Sequence, residues 1–289
     1  MPPEKEITKY TDFLRKFLHP QTALTVVCDF SNGSAGPIVT ALFRGTQVKM
    51  IPLAAKPDGD FPEHGPNPLA EGAAANLCRV VVREKADLGA IFDSDGDRVL
   101  FVDNNGRVLD AYDVFALIKG SFEPPYVVDA RALAGFTMQG EDVVESRTGR
   151  YFVWRKMKES GASLGIERSG HYFFKDFFSM DSGILAAIHV INAVGVGHDL
   201  ASEILASAIM RLPEINFPVT DWPTIREAIT KRFGESATIY ELDGLTVTGS
   251  DFAFNIRPSA TEPLVRLNLA AREQGTLDAK LAELKKMVK

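Results

Sequence analysis

Apolar runs of membrane-spanning length are missing from these 289 residues, and cysteine and histidine are scarce, at two and five. Without such a run the sequence offers no candidate for an apolar membrane-spanning helix, so no membrane partner is expected. The polar start from Met1 to Thr11 lacks the apolar core of a secretory signal. Cys28 lies in the run Thr25-Val26-Val27-Cys28 and Cys78 in an Ala-rich stretch, and both read as reduced, partly buried thiols rather than a disulfide or metal pair. Together these features make the cytoplasm the expected compartment. A basic excess is also lacking. The net charge of −6 argues against a nucleic-acid partner, because a phosphate backbone needs a basic face. A few cations focused in a cleft would still hold a small anion.

What is present is ordinary globular material. Hydrophobic residues make up 45% and charged residues 24%, a balance that buries real cores. The length fits two domains or three small ones. Residues 7–18 show helical periodicity that His19-Pro20 ends. Strands are expected at 24–30, 49–53 and 88–92, with Pro37 opening a helix near its first position. A Pro-rich loop spans 56–68 and a helix 69–85, and a hairpin turns at Asn105-Gly106. The pattern restarts near Tyr112, with a helix at 113–120, a strand at 126–129 and a long apolar helix at 183–194. Asp199 would cap a further helix to Met210, and Leu212–Pro218 reads as a linker. Beyond it, a helix from Pro223 to Gly234 precedes strands at 237–240, 245–248, 252–256 and 264–269, and a helix closes the chain from Leu277. The expected class is α/β, with two consecutive α/β sandwich domains (1–111 and 112–211) followed by a smaller α+β domain with an antiparallel sheet (212–289).

Three loops carry chemistry. In Asp93-Ser94-Asp95-Gly96-Asp97-Arg98 the acids alternate, so an extended backbone turns all three carboxylates one way. Such a group repels itself unless a hard cation sits among it. An EF-hand wants Gly sixth and Glu twelfth, where this loop has Arg98 and Asn104. Mg²⁺ suits the oxygens better than Zn²⁺, with no Cys or His close in sequence; a solvated acidic turn is the alternative. In Gly165-Ile166-Glu167-Arg168-Ser169-Gly170-His171, Glu167 and Ser169 have the spacing to face one ligand, and a carboxylate can accept bonds from two sugar hydroxyls. His171 would bind phosphate or simply pack, and a plain polar turn explains the segment as well. In Arg257-Pro258-Ser259-Ala260-Thr261-Glu262-Pro263, a guanidinium and two hydroxyls fit an anion nest stiffened by proline. A rigid strand connection with a surface Arg is the plainer reading.

In this order the three loops resemble the metal, sugar and phosphate loops of the phosphohexomutases, the phosphomannomutase and phosphoglucomutase family. The resemblance runs along nearly the whole chain. Asp29 with Ser31–Gly36 is similar to the family's Asn-Gly loop, and Lys56–Leu69 to its Pro-rich stretch. Arg147-Thr148-Gly149-Arg150 is similar to its Thr-Gly-His loop, and Phe174–Gly183 looks most like the phosphomannomutase branch. The resemblance implies Mg²⁺ on Asp93, Asp95 and Asp97, and Arg98 beside the transferring phosphoryl. It implies substrate contacts from Thr148, Gly149, Arg150, Glu167, Ser169 and His171, and a non-reacting phosphate held by Arg257, Ser259 and Thr261. Arg131 stands where the family has a basic catalytic residue, often Lys. An Arg keeps the charge but is a poor proton acceptor. The implied reaction passes a phosphoryl from an enzyme phosphoserine to a mannose or glucose phosphate and takes the sugar's other phosphate back.

Three departures accompany the likeness. The family opens with a domain of about 150 residues bearing a Ser-His-Asn-Pro-like loop, and the sequence holds no serine in such a context. Arg150 replaces a His, and Ala260 stands where Gly or Asn is usual. A mutase whose serine domain comes from a separate chain, and which is silent alone, is one expectation. A non-catalytic protein that binds Mg²⁺ and hexose phosphate is the other. A mutase using another acceptor, such as Ser94, is the third and weakest.

Overall fold

The structure, a computed structural model, describes residues 4–194, 209–218, 221–259 and 261–288. The chain divides into two compact units, each drawn from two stretches. The first runs to Glu123 and resumes at Ser163, and the second takes Pro124–Ala162 and the described chain from residue 209 onward.

In the first unit, α1 (Glu4–Arg15) is followed by β1 (Leu24–Asp29), α2 (Ala35–Phe43), β2 (Val48–Leu53), α3 (Ala75–Glu84), β3 (Leu88–Phe92) and β4 (Val99–Val102). The sheet runs β2-β1-β3-β4, parallel except where β4 folds back along β3. Near-continuous apolar runs such as Gly89-Ala90-Ile91-Phe92 are what a strand needs when both faces are covered. On one face, α3 packs Leu77, Val80 and Val81 against Val27, Ile91 and Val102. Helix α4 (Ala111–Ile118) begins at Asp110, whose carboxylate accepts the Tyr112 N–H at 3.0 Å. After residue 163 the same unit gains β7 (Leu164–Ile166), β8 (Tyr172–Phe174) and β9 (Met180–Asp181), paired antiparallel, and helix α7 (Gly183–Val194). Apolar on almost every side, α7 is buried against α4, β3 and β4.

The second unit contains β5 (Tyr126–Asp129) parallel to β6 (Val143–Ser146), the short α5 (Ala134–Thr137), and α6 (Arg150–Ser160). Its larger sheet follows: β10 (Met210–Arg211), β11 (Ile215–Pro218), α8 (Trp222–Phe233), β12 (Thr238–Tyr240), β13 (Leu245–Thr248), β14 (Phe252–Pro258), β15 (Leu264–Ala271) and α9 (Gln274–Met287). The order is β10-β15-β14-β13-β12, all antiparallel, with β11 also on β15. Ile225, Ile229 and Phe233 of α8 and Leu277 and Leu284 of α9 cover one face. Leu133 and Phe136 pack on Ala253 and Ala270 of the other.

The class is the expected one, and several boundaries move. Helix α3 starts at Ala75 rather than Leu69, because Gly72 takes φ +77° and a left-handed residue breaks a helix. Pro37 falls at the third helical position, after Ala35 and Gly36, where a missing N–H still costs nothing. The expected linker 212–218 is largely strand β11, and Met210 lies in β10. The rest of the helix expected from Asp199 lies outside the described residues. Among the described residues no helix is long and apolar enough to cross a membrane.

Candidate functional site

The acidic loop is the turn between antiparallel strands β3 and β4, so both its ends are fixed by one ladder. Asp93, buried, organises it. Its Oδ1 accepts the N–H groups of Gly96 (3.0 Å) and Arg98 (3.1 Å), and its Oδ2 accepts Arg98 Nε at 2.7 Å. Gly96 takes the positive φ (+76°) that this tight return needs. Two other segments clamp the loop. Ser31 and Asn32 both adopt left-handed φ, 48° and 53°, which lets Gly33 lie flat on Ser94; a Cβ on Gly33 would stand 2.4 Å from the Ser94 carbonyl. Ser34 N–H donates to that carbonyl at 2.8 Å, and Gly183, at the start of α7, donates to the Gly96 carbonyl at 3.1 Å.

The result is three carboxylates, Asp93, Asp95 and Asp97, whose ligand oxygens all lie within 4.8 Å of one another. An all-oxygen set of this density fits a hard divalent cation such as Mg²⁺. Arg98 leans over the loop with its Nη1 donating to Asn67 Oδ1 (3.3 Å), so the Pro-rich loop helps aim it. The same loop reaches Asp29 through His64 Nε2 at 3.0 Å.

The turn 167–171 joins this group. Gly170 N–H closes onto the Glu167 carbonyl (3.0 Å), and Val99 N–H binds the Gly170 carbonyl (3.1 Å), which ties the turn to the end of the acidic loop. Glu167, Ser169 and His171 share one side: His171 Nδ1 is 3.0 Å from both Glu167 Oε2 and Ser169 Oγ. His171 Nε2 faces Asp97 (3.6 Å) and Asp181 (3.7 Å). Arg168 points the other way and pairs with Asp110, the cap of α4, at 3.3 Å.

In the second unit, Arg257 lies near the end of β14 and Ser259 and Thr261 in the loop after it. Ser259 N–H donates to the Leu264 carbonyl (2.8 Å), and Ser259 Oγ accepts from Thr261 N–H (3.4 Å). Ala260 lies outside the described residues. Arg257 Nε is buried with no hydrogen-bond partner among the described residues; its nearest carboxylate is Asp243 Oδ2 at 3.8 Å. Asp243 also accepts Thr148 N–H at 3.1 Å, so it draws the 147–150 segment toward Arg257. Thr148 Oγ1 is buried without a hydrogen bond as well. Orphaned donors of this kind suit an incoming anion. Gly149 (φ +126°) precedes Arg150, the exposed first residue of α6. Arg131 is buried against Asp129, with Nε 2.7 Å from its carboxylate, and lies 4.0 Å from Glu214.

The first unit thus gathers Asp93, Asp95, Asp97, Arg98, Glu167, Ser169 and His171. The second gathers Arg131, Thr148, Gly149, Arg150, Arg257, Ser259 and Thr261. Sequence reasoning missed Asn67, Asp181, Glu214, Asp243 and Arg266. The first two sit in segments whose likeness to the family was legible, but the others are single polar residues on strands or turns and carry no local pattern.

Comparison with known proteins places the chain in a family. The sequence matches family models described as phosphoglucomutase/phosphomannomutase alpha/beta/alpha domain II over residues 8–106, alpha/beta/alpha domain III over 134–212 and the C-terminal domain over 214–287. The phosphomannomutase of Methanocaldococcus jannaschii is 33% identical over 275 residues, covering 91% of this chain and 61% of that protein. The phosphomannomutase of Escherichia coli strain K12 is 30% identical over 283 residues, covering 91% and 62%. The chain therefore spans about three fifths of the length of these curated relatives. A crystal structure of a phosphoglucomutase/phosphomannomutase family protein from Burkholderia thailandensis superposes with a TM-score of 0.84 at 24% identity, over 98% of this chain and 64% of that one, which shows the shared fold. With three successive family modules accounting for most of its length, the chain belongs to the phosphoglucomutase/phosphomannomutase family.

Proposed function

We propose that this chain forms the metal-, sugar- and phosphate-binding part of a cytoplasmic phosphohexomutase that interconverts hexose 6-phosphate and hexose 1-phosphate, mannose phosphates before glucose phosphates. The observation that carries the reading is the convergence of Asp93, Asp95 and Asp97 with Glu167, Ser169 and His171 in one unit. Its functional divisions are placed at 1–111, 112–211 and 212–289. Asp93, Asp95 and Asp97 hold Mg²⁺, and a cation there offsets negative charge on a transferring phosphoryl group. Arg98, steadied by Asp93 and Asn67, presents its guanidinium to that group. Glu167 and Ser169 bind sugar hydroxyls, and His171, with carboxylates facing both ring nitrogens, is placed for a substrate contact. Arg257, Ser259 and Thr261 hold the second phosphate, with Thr148, Gly149 and Arg150 beside them. Arg131, already paired with Asp129, serves as a fixed positive charge and not as a base.

The phosphoserine is supplied by a further domain, and residues 1–289 alone do not turn over. A coupled assay with mannose 1-phosphate, Mg²⁺ and catalytic bisphosphate tests this. Silence of these residues alone, with turnover on adding a separately made serine-bearing domain, is expected. Hexose phosphate binding without turnover in that mixture would instead support a non-catalytic binding protein. Turnover by residues 1–289 alone would overturn the need for the serine domain.

A further inference from the structure

Strands β14 and β15 set Arg257 directly opposite Arg266. Like charges facing each other across a ladder are destabilising unless something offsets them. The offset is Glu214, one residue before β11. Strand β11 pairs with β15 so that Asn216 faces Arg266, and this brings the Glu214 carboxylate into the arginine group. Its Oε1 accepts Arg266 Nη1 at 3.2 Å, its Oε2 accepts Asn268 Nδ2 at 3.1 Å, and Arg131 Nη1 lies 4.0 Å away. The other arm of Arg266 reaches the phosphate loop, with Nη2 2.9 Å from Glu262 Oε2 and 3.5 Å from Ser259 Oγ. Burial alone would push the Glu214 carboxyl up. The Asn268 hydrogen bond and the fields of Arg131, Arg257 and Arg266 outweigh it and hold the group below its usual range. It is therefore an anion at neutral pH, surrounded by the cations that a substrate phosphate would use.

We propose that Glu214 is an affinity-setting residue: a built-in anion that competes with the substrate's phosphate for Arg131, Arg257 and Arg266. The inference rests on the phosphate-loop reading given above. Guanidinium groups bind phosphate and carboxylate by the same two-pronged geometry, so a phosphate arriving at Arg257 meets arginines already partly neutralised. A site with that tuning holds a phosphate firmly enough to orient it and weakly enough to exchange it, which suits a reaction whose two phosphates must trade places.

Calorimetry of the full chain with inorganic phosphate at fixed ionic strength tests the idea. Glu214→Gln keeps the shape and an acceptor for Arg266 but removes the charge. It is expected to tighten phosphate binding about tenfold, roughly 1.4 kcal/mol, while Glu214→Asp stays within about twofold of the parent. A residue that merely braced the strands would weaken binding when altered, so the gain is the telling sign. Glu214→Ala gives the same comparison if the Gln variant does not fold. Unchanged or weaker binding in the uncharged variants, or equal tightening in Glu214→Asp, overturns the inference, as does a lack of phosphate binding in every variant. Arg257→Ala separates the two layers. Binding lost there, with no tightening in Glu214→Gln, keeps the phosphate loop and removes Glu214's role. Binding that persists there and still tightens in Glu214→Gln removes Arg257 from the site and keeps Glu214 acting through Arg131 and Arg266.

Discussion

Asp95 is exposed where Asp93 is buried, and the two carboxylates serve different ends. Asp93 already accepts bonds from Gly96, Arg98 N–H and Arg98 Nε, so replacing it would undo the loop itself. Asp95 is the cleaner probe. Asp95→Ala is expected to abolish Mg²⁺ binding in calorimetry without lowering the melting temperature of the metal-free protein; unchanged Mg²⁺ binding would remove the loop as the cation site. Arg257 is the matching probe in the second unit. Arg257→Ala should weaken hexose phosphate binding by about 1.5–3 kcal/mol, the worth of a charge-assisted hydrogen bond. His189, on α7, makes a different prediction. Its ring stacks on Phe174 (5.1 Å) and packs against Phe122 (4.7 Å) and Phe17 (6.2 Å). Burial holds its pKa down to about 4, against a smaller upward pull from Asp176. The unfolded chain takes up a proton near pH 6.5 and the folded one does not until about 4, so stability is full above 6.5 and is lost as the pH falls toward 4. The loss is about 3 kcal/mol. His189→Leu should flatten that part of the stability–pH curve in urea titrations. Parallel curves for the two proteins would count against it.

At the scale of elements, the acidic loop owes its shape to what presses on it. Gly33→Ala would drive a Cβ into the Ser94 carbonyl. The expected cost is about 1–3 kcal/mol of stability, as for other overpacked sites, together with weaker Mg²⁺ binding although no carboxylate has changed. Mg²⁺ binding equal to the parent's would show that the loop holds its form without the clamp. This dependence was only half legible in the sequence. The alternation of acids and the glycine between them show in the sequence, because spacing of two is a local property. That Gly33, far earlier in the chain, bears on Ser94 is a tertiary fact with no local trace. Strand β11 was hidden for another reason. Pro213 before it and Pro218 at its end make it look like a linker, yet Pro218 ends a strand that pairs on one side with β15, and such positions tolerate proline. With β11 misread, Glu214 had no reason to be noticed.

For the molecule as a whole, the sequence pattern restarts at Tyr112, which suggests modules strung end to end. Packing adds a return that cuts across such modules: the chain leaves its first compact unit at Glu123 and re-enters it at Ser163. Periodicity cannot show such a return, because each element looks the same whichever body it joins. A fragment ending at residue 123 would lack α7 and leave bare the surfaces of α4, β3 and β4 that α7 covers. It is expected to unfold without cooperativity and to bind an apolar dye. A sharp melting transition would show that the first stretch stands alone. The same re-entry has a consequence for biosynthesis. Asp97 leaves the ribosome well before His171 and Asp181, the groups it faces in the finished protein. At translation speeds of about 5–20 residues per second, the nascent acidic turn waits roughly 4–15 seconds for its imidazole partner. Through that interval Asp97 has only water and whatever cations the cell supplies in place of those partners, and the apolar surfaces that α7 will cover are open to chaperones.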